Sequence, residues 1–447
     1  MKHAALVCAL LVTSATARAE DPPPPADQTP STEEIEQALK ADQAAKDKAH
    51  PKEAPAQAAS PSGANAAAGS PAPSTSAFGR LIQSLNPDIS AILDLAAGWY
   101  SNESGTLKSD DDPANTGFNA QEIEIAFQAV VDPYFRADIF VTVPNLNSFE
   151  IEEGFLTTTN LPWNLQVRAG VFRAAFGRQN MQHLHLQDFT RRPAINALFL
   201  GLDGLRSPGL EINWLVPGIP FYLLLEASAF SVAASGPNEQ LATFGGGEHW
   251  DFAYVASAKA FWELGESSAL YAGLSYAHGK TSQTATINDV LPSTRPITSD
   301  PFPTNLNNLF SNLYGADLYF KWKPANAART YVSVAWTTEF MLRDIPAQLT
   351  AAGAPSPEQL EGGLYTQLVV QAARRWYLGL RGEVLGIPQA DSVHREYATA
   401  GSITFAASEF ARMRLYGEVR FPAGRDVYGA MFVQLEASIG AHGAHPY

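Results

Sequence analysis

From about Leu81 to the end of the chain, apolar and polar residues alternate with a period of two. Over 118–131, Ile123, Ile125, Phe127 and Ala129 alternate with Glu122, Glu124 and Gln128. Over 163–173, Trp163, Leu165, Val167 and Val171 alternate with Asn164, Gln166, Arg168 and Gly170. Over 410–421, Met413, Leu415 and Val419 alternate with Arg412, Arg414, Glu418 and Arg420. One apolar and one charged face mark a half-buried antiparallel strand. The pattern predicts sixteen strands, near 88–100, 118–131, 134–144, 148–159, 163–173, 208–216, 219–233, 250–263, 268–279, 311–323, 329–342, 362–373, 376–386, 396–408, 410–421 and 427–440.

The connections alternate as well. Short turns such as Asp132-Pro133, Gly265-Glu266 and Arg374-Arg375 take turns with polar stretches at 101–117, 174–207, 234–249, 280–310 and 343–361. Short turns at one end and long loops at the other describe a transmembrane, antiparallel, up-and-down β-barrel. Hydrocarbon offers no hydrogen-bond partners to backbone groups, so a spanning sheet must close on itself. A tilted spanning strand needs roughly 9–11 residues, which these segments supply. Aromatic residues near strand ends, such as Trp99-Tyr100, Phe261-Trp262 and Trp376-Tyr377, suit interfacial girdles. About sixteen strands are expected to enclose an aqueous lumen, where eight would be filled by their own side chains.

The N-terminal part reads differently. Residues 1–19 combine Lys2, an apolar stretch from Ala4 to Leu11 and Ala17-Arg18-Ala19, as a secretory signal peptide does. Residues 20–80 are rich in Pro, Ala and Ser and cannot bury enough apolar surface to offset ordering, so a disordered periplasmic tether is expected there. Within it, 31–48 reads as a short capped helix. The barrel is assigned to 81–447, and its even strand number puts both termini on the short-turn, periplasmic side. Cys8 is the single cysteine and falls in the signal segment, so no disulfide or thiolate chemistry is expected.

Composition narrows the function. The chain of 447 residues carries a net charge of −15 with only 17% charged residues, which argues against a nucleic-acid partner. Its longest apolar runs fall short of the ~20 residues of a spanning helix. The connection at 174–207 departs from the acidic background. From 173 to 207 it holds Arg173, Arg178, Arg191, Arg192 and Arg206 against Asp188 and Asp203. If this loop lies in the lumen, its field favours anions. The same arginines could instead pair with lumen carboxylates and pin the loop to the wall. Expected lumen-lining positions include Arg168, Arg381, Arg412, Arg414, Arg420, Glu122 and Glu124.

His183-x-His185 shares the loop. On an extended segment both rings face one way and could hold Zn²⁺, but only Asp188 lies nearby in sequence as a third ligand. Both histidines are therefore assigned to the pore constriction, with no metal and no cofactor. Neither a Gly-x-Ser-x-Gly nor a His-Glu-x-x-His motif occurs, so no enzyme is expected.

The run Ala169-Gly-Val-Phe-Arg-Ala-Ala-Phe-Gly-Arg178, Arg191-Arg-Pro193 and Gly204-Leu-Arg-Ser-Pro-Gly-Leu-Glu211 resembles the phosphate-selective porin O and P family. The likeness covers about 165–215. It implies a homotrimeric, anion-conducting outer-membrane channel with basic third loops at the constriction, positions matched here by Arg173, Arg178, Arg191 and Arg192. Residues 81–447 nevertheless hold 23 basic and 36 acidic residues, without a lysine ladder. The reading is thus a porin for small hydrophilic solutes or anions, phosphate among them, seated in outer-membrane lipid. The alternatives are a barrel-embedded lipase or protease, with His183 or His185 and Asp188 as base and orienter, or a TonB-linked receptor lacking a plug.

Overall fold

A computed structural model describes residues 87–440 except 104, 147, 232–242, 246–249, 282–308, 326–330, 347, 349–357 and 389–394. The expected signal peptide, tether and helix at 31–48 lie outside the described residues. The strands are β1 (Asp88–Tyr100), β2 (Gly117–Val130), β3 (Phe135–Thr142), β4 (Glu150–Thr158), β5 (Leu165–Arg173), β6 (Arg206–Leu215), β7 (Tyr222–Phe230) and β8 (Ala253–Gly265). They continue as β9 (Ser268–Thr281), β10 (Leu309–Trp322), β11 (Ser333–Ile345), β12 (Gln359–Ala373), β13 (Trp376–Ile387), β14 (Glu396–Ser408), β15 (Ala411–Pro422) and β16 (Tyr428–Gly440). Each pairs antiparallel with its chain neighbours, and β1 pairs with β16, so the sheet is a closed barrel.

All sixteen expected strands are present. Their bounds differ where proline or a left-handed backbone intervenes. β7 starts at Tyr222 rather than 219, since Pro220 has no N–H for a ladder. β5 starts at Leu165, because Trp163 and Asn164 adopt positive φ in the turn before it. Gly170, at φ 142, lies where a Cβ would run into the Gly154 carbonyl of β4, so close approach of β4 and β5 requires glycine there.

Period two separates the two faces. Along β15, Met413, Leu415 and Val419 are 40–45% exposed on the outside, while Arg414, Tyr416, Glu418 and Arg420 are buried inside. Exposed aromatics ring both ends. Trp99, Phe118, Tyr254, Phe310 and Phe421 stand at the long-loop end; Tyr134, Trp163, Tyr222, Trp376 and Phe410 stand at the short-turn end. Of the expected girdle pair Trp99-Tyr100, only Trp99 faces outward, and Tyr100 is buried inside.

Two bulges break the period at one place in the wall. Between β1 and β2 the register shifts at Asp94/Leu95, leaving Gln121 as the extra residue. Between β3 and β4 it shifts at Phe140/Val141, leaving Glu152 as the extra residue. A bulge lets consecutive side chains face the same way. Gln121 and Glu122, like Glu152 and Glu153, are accordingly buried as neighbours.

The outward face gives a direct test. Replacing Leu415 by Arg at mid-strand should destabilise the barrel in phospholipid bilayers by ~2–4 kcal/mol, measured by equilibrium unfolding.

Candidate functional site

The connection between β5 and β6, residues 174–205 (L3), crosses the barrel interior. It opens with the Ala174 N–H donating to the Leu205 carbonyl (2.8 Å), which pinches the loop's neck. Asn180 bridges the same neck, donating to Ala174 O and accepting from Leu205 N–H. From there the loop touches the wall on all sides. The Arg178 and Gln179 N–H groups donate to Glu339 of β11 (2.6 Å each), and the Ala194 N–H donates to Glu383 of β13 (3.0 Å). Arg414 of β15 donates to Gln187 O (2.7 Å), and Gln121 of β2 donates to Thr190 O (3.1 Å). A short helix, α1 (Ala194–Leu200), packs its apolar residues with Phe172, Phe230, Met341 and Tyr365 inside the barrel. The lumen expected to be water-filled thus holds a packed loop with its own apolar core, because inward apolar residues of β5, β7, β11 and β12 give α1 a surface to bury.

Most of the expected constriction arginines are paired. Arg173 binds Glu152 and Asp203, Arg192 binds Asp111, and Arg206 binds Asp203. Arg191 is held by Asp112 (3.0 Å), Glu418 and the Leu107 carbonyl. Gly204, at φ 78, completes the knot: a Cβ there would stand 2.9 Å from Arg173 Nη1 and 2.5 Å from Asn180 Oδ1. Among the lumen positions, Arg381 pairs with Glu383, Arg412 with Glu436, Arg420 with Glu383 and Glu396, and Arg168 with Glu211. Arg414 donates to Gln434 and to L3.

Asp111 and Asp112 belong to L1, residues 101–116, which sequence reasoning did not connect to the site. A doublet of aspartates facing the Arg191-Arg192 doublet was the available signal. The Tyr100 hydroxyl, buried beneath, donates to Pro113 O and ties L1 to the wall.

His183 is buried among carboxylates. Its Nδ1 lies 3.1 Å from Oε2 of both Glu124 and Glu152, and its Nε2 lies 2.8 Å from Glu153 Oε2. Burial opposes charge on this ring, yet Glu152 and Glu124 outweigh it and hold its pKa well above the usual imidazole value. His185 Nδ1 lies 3.3 Å from Glu124 Oε2. Asp188 lies 3.5 Å from Gln367 and lines the same cavity as His185.

Open space remains on the short-turn side of L3. A cavity of about 640 Å³ is lined by Arg178, Asp188, Tyr271, Tyr319, Lys321 and Lys323. A second, of about 280 Å³, is lined by His185, Asp188, Arg412, Arg414, Glu409 and Glu436, and the two share Asp188, Val369 and Tyr377. Arg178 Cζ stands 4.0 Å from the centroid of the Tyr319 ring, and of the expected constriction arginines it is the one that lines this vestibule.

No family model matches the sequence, so the porin O and P likeness stays with the residues that carry it. A protein of Aquifex aeolicus (strain VF5), described only as "Uncharacterized protein", is 30% identical over 399 residues, covering 81% of this chain and 80% of the relative. This chain belongs to that protein's family. The outer membrane channel DcaP of Acinetobacter baumannii is similar in structure, with a TM-score of 0.51 and 10% identity over 79% of this chain and 96% of that one. The anion-selective porin from Comamonas acidovorans aligns with a TM-score of 0.48 and 8% identity over 78% and 98% of the two chains. At 10% identity the likeness to DcaP is one of fold alone.

Two outcomes follow from the paired loop. Arg191→Met leaves Asp112 buried without its cation and Glu418 with Arg420 alone (3.4 Å), a loss of roughly 3–5 kcal/mol. L1 and L3 should then become readily cleaved in limited proteolysis while the strands stay protected. Asp110, half-buried in L1, has its pKa pushed from 3.8 up to about 7 by burial and by Asp203 and Asp111, with Glu150 adding and Arg206 opposing. Because the docked state favours the proton, L1 docking is strongest below the ordinary aspartate range and weakens as pH rises through about 7. Hydrogen exchange at 105–113, corrected for intrinsic rates, should show protection falling from pH 5 to pH 8, and Asp110→Asn should flatten that dependence.

Proposed function

We propose that this protein is an outer-membrane channel for small hydrophilic solutes, with a preference for anions. The observation that carries the reading is the division of the barrel: an apolar outer face between two aromatic rings, and a polar interior crossed by L3. A sheet with that outer face is solvated by lipid, and its closure leaves no edge for hydrocarbon to meet. Solutes pass through the space left beside L3, and the vestibule is the entrance on the periplasmic side, where the short turns lie.

The anion preference rests on the vestibule wall rather than on the loop's buried arginines. Arg173, Arg191 and Arg192 are matched by carboxylates, so little of their field extends into open space. Around the vestibule five basic side chains, Arg178, Lys321, Lys323, Arg412 and Arg414, face three acidic ones, Asp188, Glu409 and Glu436. A cleft with low-dielectric walls concentrates such an excess on passing ions. Phosphate is one solute of fitting charge.

A homotrimer accompanies this reading. On the outer face a groove of about 600 Å³ runs between Ala258, Ala260, Ala272, Leu274 and Ala316, where small side chains allow a second barrel to approach.

Purified protein in planar bilayers tests the channel. Stepwise conductance is expected, with a reversal potential in a salt gradient on the anion-selective side. Replacing both Lys321 and Lys323 by Glu should shift that potential toward cations severalfold. Silent insertion would remove the channel reading, and an unchanged potential would remove the vestibule from selectivity.

A further inference from the structure

The interior holds one group of side chains that conduction does not use. Glu124 on β2, Glu152 on β4 and His183 on L3 each aim one ligand-type atom at a common point, and those atoms lie within 4.8 Å of one another. All three residues are buried. Nδ1 of His183 stands 3.1 Å from Glu124 Oε2 and 3.1 Å from Glu152 Oε2, and His185 Nδ1 stands 3.3 Å from the same Glu124 oxygen. Donor atoms 2.0–2.2 Å from a tetrahedral zinc are spaced about 3.3 Å apart, close to these separations.

Bond and charge counting favour a metal over hydrogen bonds alone. The ring nitrogen Nε2 of His183 is engaged by Glu153 at 2.8 Å. When that nitrogen carries the proton of a neutral ring, Nδ1 presents a lone pair to two anionic oxygens, which repel it. A second proton on the ring can lie toward only one of them. A divalent cation satisfies Nδ1 and both oxygens together. Carboxylate is in excess around His183: Glu124, Glu152 and Glu153 all lie within 3.1 Å of its ring nitrogens, with Arg173 paired to Glu152. Glu122 Oε1 and Glu124 Oε1 are buried with no hydrogen-bond partner among the described residues.

The surroundings match those of a ligating histidine. Such a ring commonly donates its other N–H to a carboxylate, and ligating carboxylates are themselves held. Here Glu153 takes the Nε2 proton and accepts the Arg173 backbone N–H (2.6 Å), while Arg173 holds the other oxygen of Glu152. Phe140 packs on the His183 ring at 4.7 Å between centroids.

We propose that Glu124, Glu152 and His183 bind one divalent first-row metal ion that staples L3 to the barrel wall. Imidazole with carboxylate and no thiolate suits Zn²⁺, Fe²⁺ or Mn²⁺. The ion is structural: it fixes the loop that narrows the lumen, and the proposal stands whether or not solutes pass beside it.

The full chain, refolded in detergent from metal-free buffer, is titrated with Zn²⁺ and desalted. One zinc per chain by elemental analysis is expected, together with slower protease cleavage within L3. The double variant Glu124→Gln, Glu152→Gln should bind zinc more than ~10-fold more weakly, with barrel closure checked by heat-modifiable migration in gels. Should that variant fail to fold, Co²⁺ added to the unmodified chain decides, through the visible absorption of a low-symmetry site with imidazole ligation. Substoichiometric zinc, or equal binding by the folded double variant, overturns the proposal. L3 protection that responds to pH and not to zinc also overturns it, by assigning the site to protons alone.

Discussion

The rest of the structure depends on the pairing of β1 with β16. Ser90 opposite Gly440 and Tyr100 opposite Ala430 join the first strand to the last, so every strand has two neighbours. Closure leaves no open edge strand for hydrocarbon to meet, and the outer face is free to be apolar. Closure also defines an inside. Because side chains alternate across a strand, each lipid-facing residue commits its neighbours to the interior.

That commitment creates the second problem the chain solves. The inward faces accumulate glutamates and arginines, and a buried charge is tolerated only with a partner. L3 and L1 supply many of them. Arg191 reaches Asp112 of L1 and Glu418 of β15 at once, and Arg192 reaches Asp111. The loop that looks basic in sequence is therefore close to neutral where it sits. The pairing that anchors L3 takes up Arg191 and Arg192, while Arg178 lines the open space with Lys321 and Lys323.

The carboxylates around His183 are placed by irregularity rather than by regular sheet. Without the bulge at Glu152, strict alternation would send Glu152 and Glu153 to opposite faces, one of them into lipid. The extra residue turns both inward, and the bulge at Gln121 does the same for Gln121 and Glu122. These two departures from period two lie on strands that flank β3, and they bring charge together where L3 crosses.

By itself the sequence determined the sixteen strands, the alternation of short turns and long loops, and, away from the bulges, the two-residue alternation that separates the two faces. All of these rest on local periodicity and turn chemistry, which a linear reading can see. It also showed the basic character of 173–207 and left open whether those arginines face solute or pair with the wall. Only the tertiary structure decided that question, because most partners lie 20 to more than 200 residues away: Glu152 for Arg173, Asp112 and Glu418 for Arg191. The His183-x-His185 pair showed the same limit. Its sequence neighbour Asp188 is turned toward the vestibule, and the carboxylates that meet it come from β2 and β4. Side-chain period is written along the chain, whereas the partners across a lumen are set by closure and by bulges, and neither leaves a local mark.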